Sequence, residues 1–136
     1  MFKGILFALF LTTGYVYTFF QAGTLTDSIK RGEQVYSANC QSCHMENGEG
    51  LVDSFPPLAK SDFLLKDQKR AIGVVLHGLE GEVIVNGENY NMMMPAQNHL
   101  SDQEIADVLN FVQNSWGNKA KAVTPAQVKE IRAAKK

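Results

Sequence analysis

Cys40-Gln41-Ser42-Cys43-His44 constrains this chain more than any other stretch, because C-x-x-C-H is the attachment signature of c-type haem. Two thiols three positions apart share one helical turn and can each add to a vinyl group on the same porphyrin edge. The next residue, His44, then falls beneath the ring, where its imidazole can bind the iron. A zinc site normally needs a second ligand pair, and the chain has 2 cysteines in all. A thioredoxin-like redox pair wants a βαβ context that the surrounding pattern lacks. A plain structural disulfide leaves the adjacent His without a purpose. One covalent haem c is therefore the expected cofactor.

Composition adds bounds rather than chemistry. At 136 residues there is room for one small domain with extensions. The 13 basic and 14 acidic side chains nearly balance, so nothing points to nucleic acid. Their distribution is uneven. From Thr24 to Asn118 there are 6 basic and 13 acidic residues, and from Lys119 to Lys136 there are 6 basic and 1 acidic. A basic tail on an acidic body can meet an anionic membrane or an acidic partner, or can simply be a solvated helix.

No charge appears between Lys3 and Asp27, and Gly4 to Phe20 is almost wholly apolar or aromatic. As a helix this stretch is about 26 Å long, close to the hydrocarbon thickness of a bilayer. A cleaved signal wants small residues at its cut site, yet Phe20-Gln21-Ala22 offers a bulky Phe. An uncleaved anchor is favoured over a removed signal. Either reading places the following domain across a membrane. The expected organisation is an anchor or signal over 1–23, a haem domain over 24–118, and a basic tail with a short helix over 119–136.

Thr26 or Asp27 can cap a helix running to about Cys40, with Ile29, Gly32, Val35 and Tyr36 on one face. Gly48 to Leu58 reads as a loop closed by Phe55-Pro56-Pro57. Asp67 caps a helix that ends near His77, with Gly78 as its stop. Glu82 to Met92 is a hairpin, since Asn86-Gly87 suits a type I′ turn. Ser101-Asp102-Gln103-Glu104 is a capping box. The helix it opens carries Ile105, Val108, Leu109, Val112 and Trp116 at helical spacing, before Gly117. Thr124-Pro125 starts a tail helix.

Six-coordinate haem needs a second ligand opposite His44, and the candidates are Met92, Met93, Met94, His77 and His99. Met94 leads, because Met94-Pro95 lies between the hairpin and the last domain helix, where a proline-stiffened loop can wrap the distal face. Any single Met is ordinarily a core filler, and a His at a helix C-terminus is favourable with the dipole alone.

Over about Thr26 to Gly117 the chain resembles the small monohaem class I cytochromes c. Gly32 and Tyr36 match a glycine and an aromatic set eight and four residues before the first cysteine. The resemblance implies that they pack on the last helix, with Val108 and Phe111 as partners. It further implies that the Pro56 carbonyl holds the His44 ring nitrogen, which would orient and strengthen that ligand. Leu58 would lie against the haem. Gly78 to Asn118 is similar to haem domains attached to, or encoded beside, copper nitrite reductases and quinoprotein alcohol dehydrogenases. The implied fold is all-α around one haem with one short β-hairpin. Tyr90, Trp116 and Asn98 are candidates for hydrogen bonds near the propionates, with ordinary packing as the alternative.

The implied function is single-electron transfer by a His44/Met94 haem at the outer face of a bacterial inner membrane. With both axial positions filled the domain should carry electrons rather than catalyse, serving protein redox partners in a respiratory or dehydrogenase chain. Three alternatives stay open: an integral subunit of a larger membrane redox enzyme, a dedicated donor to a reductase, and a haem enzyme or gas sensor with a displaceable Met.

Overall fold

A computed structural model describes residues 23–134. The anchor expected over 1–23 lies outside them, save for Gly23. Among the described residues no helix is long and apolar enough to cross a membrane.

Helix α1 (Leu25–Asn39) starts two or three residues earlier than the Thr26 or Asp27 cap predicts. Thr24 is the cap: its hydroxyl accepts from the Asp27 amide, while the Asp27 carboxylate accepts from the Thr24 amide at 3.1 Å. Two orphan donors are satisfied together, which neither Thr26 nor Asp27 could achieve as cap. The short α2 (Gln41–His44) follows directly. Helix α3 (Asp62–Lys66) was not expected. Five residues are too few to show a period, and the signal is the Ser61 hydroxyl accepting from the Leu64 amide at 3.2 Å. Helix α4 (Gln68–His77) follows the prediction, capped by Asp67 and stopped at Gly78.

The hairpin pairs β1 (Val83–Val85) with β2 (Glu88–Tyr90), Val83 opposite Tyr90. Positive φ at both Asn86 (53°) and Gly87 (87°) gives the expected primed turn. That turn is docked rather than free. The Asn86 and Asp62 backbone amides each donate to the other's side chain, at 2.8 and 3.0 Å, tying the hairpin to α3.

Helix α5 (Asp102–Val112) has the predicted Ser101–Glu104 capping box but ends before Trp116. Two asparagine amides take its last carbonyls instead of further helical turns. Asn114 donates to the Asn110 carbonyl at 2.9 Å, and Asn118 to the Val112 carbonyl at 2.7 Å. Trp116 itself sits at φ +53°, outside helical geometry.

Crossing α1 over α5 forms the centre of the fold. A β-carbon on Gly32 would stand 1.9 Å from the Asp107 carbonyl oxygen and 2.8 Å from the Phe111 β-carbon. Asp107 thus supplies the closest backbone atoms, and Phe111, one of the two expected partners, the closest side-chain atom. Only glycine lets the two main chains approach so nearly. Beside it, Tyr36, Phe111 and Trp116 form a triangle of rings with centroids 5.2 to 5.3 Å apart. The tail joins this core. Helix α6 (Pro125–Ala134) buries Val128 fully, and Val123 before it is buried too. A solvated tail is therefore not what these residues form. The lysines that make the tail basic, Lys119, Lys121 and Lys129, occupy its exposed positions.

Candidate haem site

Helix α1 hands the chain to α2 at Cys40, so both thiols and His44 emerge beside the end of a helix whose Gly32 and Tyr36 are packed into the core. The Tyr36 hydroxyl donates to the Met45 carbonyl at 2.6 Å, which fixes the turn just past the motif. The loop over 48–58 is well tied. Leu51 and Phe55 exchange backbone hydrogen bonds of 2.8 Å, and Leu58 donates to the Gly48 carbonyl at 2.7 Å. Gly50 permits this fold, since a β-carbon there would meet the Phe55 carbonyl oxygen at 2.3 Å.

The loop delivers the Pro56 carbonyl to His44, whose Nδ1 lies 2.9 Å away. A carbonyl can only accept, so Nδ1 must carry the proton and Nε2 keeps its lone pair. Burial pushes the His44 pKa down, and the Pro56 bond offsets only part of that. The imidazole is thereby held neutral, which is the form that binds a metal.

Cys40, Cys43 and His44 line one large cavity of about 1040 Å³, counting the space at its open mouth. Its other walls are largely aliphatic and aromatic. Pro56 and Leu58, Tyr90 from β2, and Val108, Leu109 and Val112 from α5 all contribute. Burial, with Cys43 nearby, pushes the Cys40 thiol up to about 11. A redox-active C-x-x-C does the opposite and lowers a thiol pKa. Two thiols that are not joined in a disulfide, a neutral imidazole and apolar walls fit a large flat hydrophobic group carrying a metal.

All three methionines reach the same cavity. Met92 and Met93 are 57% and 59% exposed, whereas Met94 is half-buried. Met94 is also the one clamped by its backbone, which exchanges hydrogen bonds of 2.9 and 3.0 Å with Leu79. His77 and His99 are not among the residues lining the cavity. His77 closes α4, and His99 is exposed, near the Asn39 side chain. Tyr90 is buried in the cavity wall, but Trp116 and Asn98 are not part of it. Trp116 belongs to the ring triangle, and the Asn98 carbonyl accepts from Arg132.

Comparison with known proteins turns this fit into an assignment. The family model for cytochrome c matches residues 29–116. The chain belongs to the cytochrome c family. Cytochrome c-552 of Thermus thermophilus is 40% identical over 113 residues, covering 76% of this chain and 86% of that protein. The cytochrome c subunit of a quinone alcohol dehydrogenase from Gluconobacter oxydans is 37% identical over 105 residues. The gluconate 2-dehydrogenase cytochrome c subunit of Pantoea cypripedii is 38% identical over 112 residues. The matches cover 74% and 78% of this chain but only 22% and 25% of those subunits. As a cytochrome c the protein carries a covalent haem c and transfers electrons; it is not an enzyme on its own.

Two supports of this cytochrome c site escape a linear reading. Asn118 donates to the Leu58 carbonyl at 2.8 Å and accepts from the Lys60 amide at 2.7 Å, so it staples the proximal loop to the end of α5. Asn86 and Asp62 do the same for the hairpin wall. Both pairings join residues more than 20 positions apart, and an asparagine in a loop advertises a turn rather than a distant partner.

Proposed function

We propose that His44 and Met94 hold the haem iron of this cytochrome c and that it passes single electrons at the outer face of a membrane. The bond from His44 Nδ1 to the Pro56 carbonyl, in a cavity that also contains Met94, is the observation that carries the reading. The haem supplies the redox iron. Pro56 holds the imidazole in one tautomer and orientation, leaving Nε2 for the metal. Leu58, Tyr90 and the α5 valines keep water from the ring. Trp116 acts at one remove, bracing Tyr36 behind the attachment motif. A thioether ligand favours ferrous iron and raises the potential.

Partner and place follow from two further supports. Relatives at 36–38% identity are named as cytochrome c subunits of dehydrogenases, which favours a membrane dehydrogenase or reductase complex as partner. The uncharged stretch from Gly4 to Phe20 favours an anchor that keeps the haem domain on the periplasmic side of a bacterial inner membrane. One preparation tests the whole reading. Full-length protein extracted from membranes should retain residues 1–22 by intact mass and show, when ferric, the weak far-red sulfur-to-iron absorption. Met94→His should abolish that band and lower the potential markedly. A band that survives the substitution transfers the ligand to Met92 or Met93. A soluble mature chain beginning near Ala22 overturns the anchor.

A further inference from the structure

The strand of chain that carries Met94 into α5 has no regular structure, so what fixes it decides how firmly Met94 is held. Its near end is well secured. Met94 is paired with Leu79, Gln97 donates to the Val75 carbonyl at 2.8 Å, and Gly78 leaves room for the Met94 carbonyl. Its far end is held by a residue from outside the haem-binding region. The Arg132 guanidinium, on α6, donates from Nη1 to the Asn98 carbonyl at 3.0 Å and from Nη2 to the Leu100 carbonyl at 2.8 Å. Its Nε pairs with the Asp102 carboxylate at 2.8 Å, in the first turn of α5. One planar fork thus spans the last part of the loop and the start of the next helix.

We propose that Arg132 is a positioning residue for the distal ligand, and that α6 is the strap that keeps Met94 on the iron. The inference rests on the Met94 reading above. Arg132 is suited to the task because three fixed donors meet three acceptors in one geometry, which a lysine cannot reproduce. The strap is rigid where it matters. Val128, one turn before Arg132, is fully buried, and Ile131 packs against the same core. Without the fork the Asn98 and Leu100 carbonyls turn to water. The loop then keeps its Leu79 and Val75 bonds, internal bonds from the Leu100 amide to Gln97 and from the Gln97 side chain to the Pro95 carbonyl, the long 3.4 Å contact of His99 with Asn39 and the burial of Leu100. A larger fraction of molecules has Met94 detached, and an external ligand that binds only that fraction gains apparent affinity in proportion.

The test is imidazole titration of the ferric full-length holoprotein, followed through loss of the far-red sulfur band. Arg132→Gln should bind imidazole roughly tenfold more tightly than wild type, the expected size for a modest population shift. Arg132→Lys, which keeps the charge but not the fork, should fall between. Arg31→Gln is the control, because Arg31 directs its guanidinium bonds to Asp107, at 2.7 and 2.8 Å, on the α1–α5 crossing. It should lose stability yet keep wild-type imidazole affinity. Unchanged affinity in both Arg132 variants sinks the proposal, as does an equal rise in Arg31→Gln, which would mean general loosening. A wild-type ferric protein with no sulfur band sinks the Met94 reading and this proposal together.

Discussion

The α1–α5 crossing and the distal wall are built on opposite plans. At the crossing the chain supplies every partner itself. Asp107 is buried and accepts from Ser28, from two nitrogens of Arg31 at 2.7 and 2.8 Å, and from Gln103 at 2.9 Å. Asn110 donates to the Ser28 hydroxyl and exchanges two bonds with the Val123 backbone. A buried carboxylate is costly unless its lone pairs are filled, and here they are. On the distal side two three-residue strands and an irregular loop face a cavity whose natural filling is the cofactor. One region can be rigid because it is complete without a ligand. The other is left adjustable, and so needs fastening from outside, by Asp62, Gly78 and Arg132.

Replacing Gly32 with Ala should have the largest effect. In an exposed helix that change gains about 1 kcal/mol. Here the new methyl would meet a backbone carbonyl at 1.9 Å, and neither main chain can yield without parting the helices. A loss of more than about 3 kcal/mol is expected, the upper range for overpacking. Denaturant unfolding of the holoprotein measures it. A neutral result would mean that the crossing is not the rigid half.

Gly78→Ala sharpens the contrast from the distal side. Its φ of +76° and the Met94 carbonyl 2.5 Å from a β-carbon both oppose a side chain. The loop can shift, however, so a cost of about 1–3 kcal/mol is expected. The discriminating readout is the far-red sulfur band, which should weaken in Gly78→Ala. In any Gly32 variant that still folds, the band should persist. The reverse pattern would exchange the roles of the two regions.

Ser101→Ala is the mildest test, with an expected cost of about 1 kcal/mol for a lost helix cap. Its effect should depend on pH. Hydrogen bonds from the Ser101 amide and then its hydroxyl hold the Glu104 carboxyl below the usual glutamate range. A depressed carboxyl pKa stabilises the fold above the unfolded-state value and loses that contribution as pH falls through the folded value. Wild type should therefore lose part of its advantage over Ser101→Ala below about pH 4. Parallel pH profiles for the two proteins would remove Glu104 from the account.

Much of the site was legible in the chain because its chemistry is local. The C-x-x-C-H motif, the Pro56 carbonyl twelve residues on, the Asn86-Gly87 turn and the Ser101 box each work over short spacings. What escaped was long-range or short-lived. Asp107 pairs with Arg31 across 76 positions, and nothing in either neighbourhood predicts it. Helix α3 is shorter than any readable period. The tail's charge concealed its packing, since its lysines outnumber the two valines that seat it, Val123 and Val128. Trp116 continued the apolar spacing of α5, but Asn114 and Asn118 offered the last carbonyls better partners than another turn.

The span of the α1–α5 crossing also sets an order of events. Its hydrogen bonds join residues 76 to 82 positions apart, with the attachment motif between them. A chain made from its N-terminus presents Cys40 and Cys43 long before Asp107 and Asn110 exist to close over α1. Closing so long a loop is also entropically slow. The thiols are therefore open to chemistry during the interval and half-buried after it. Maturation has a window, and α5 shuts it.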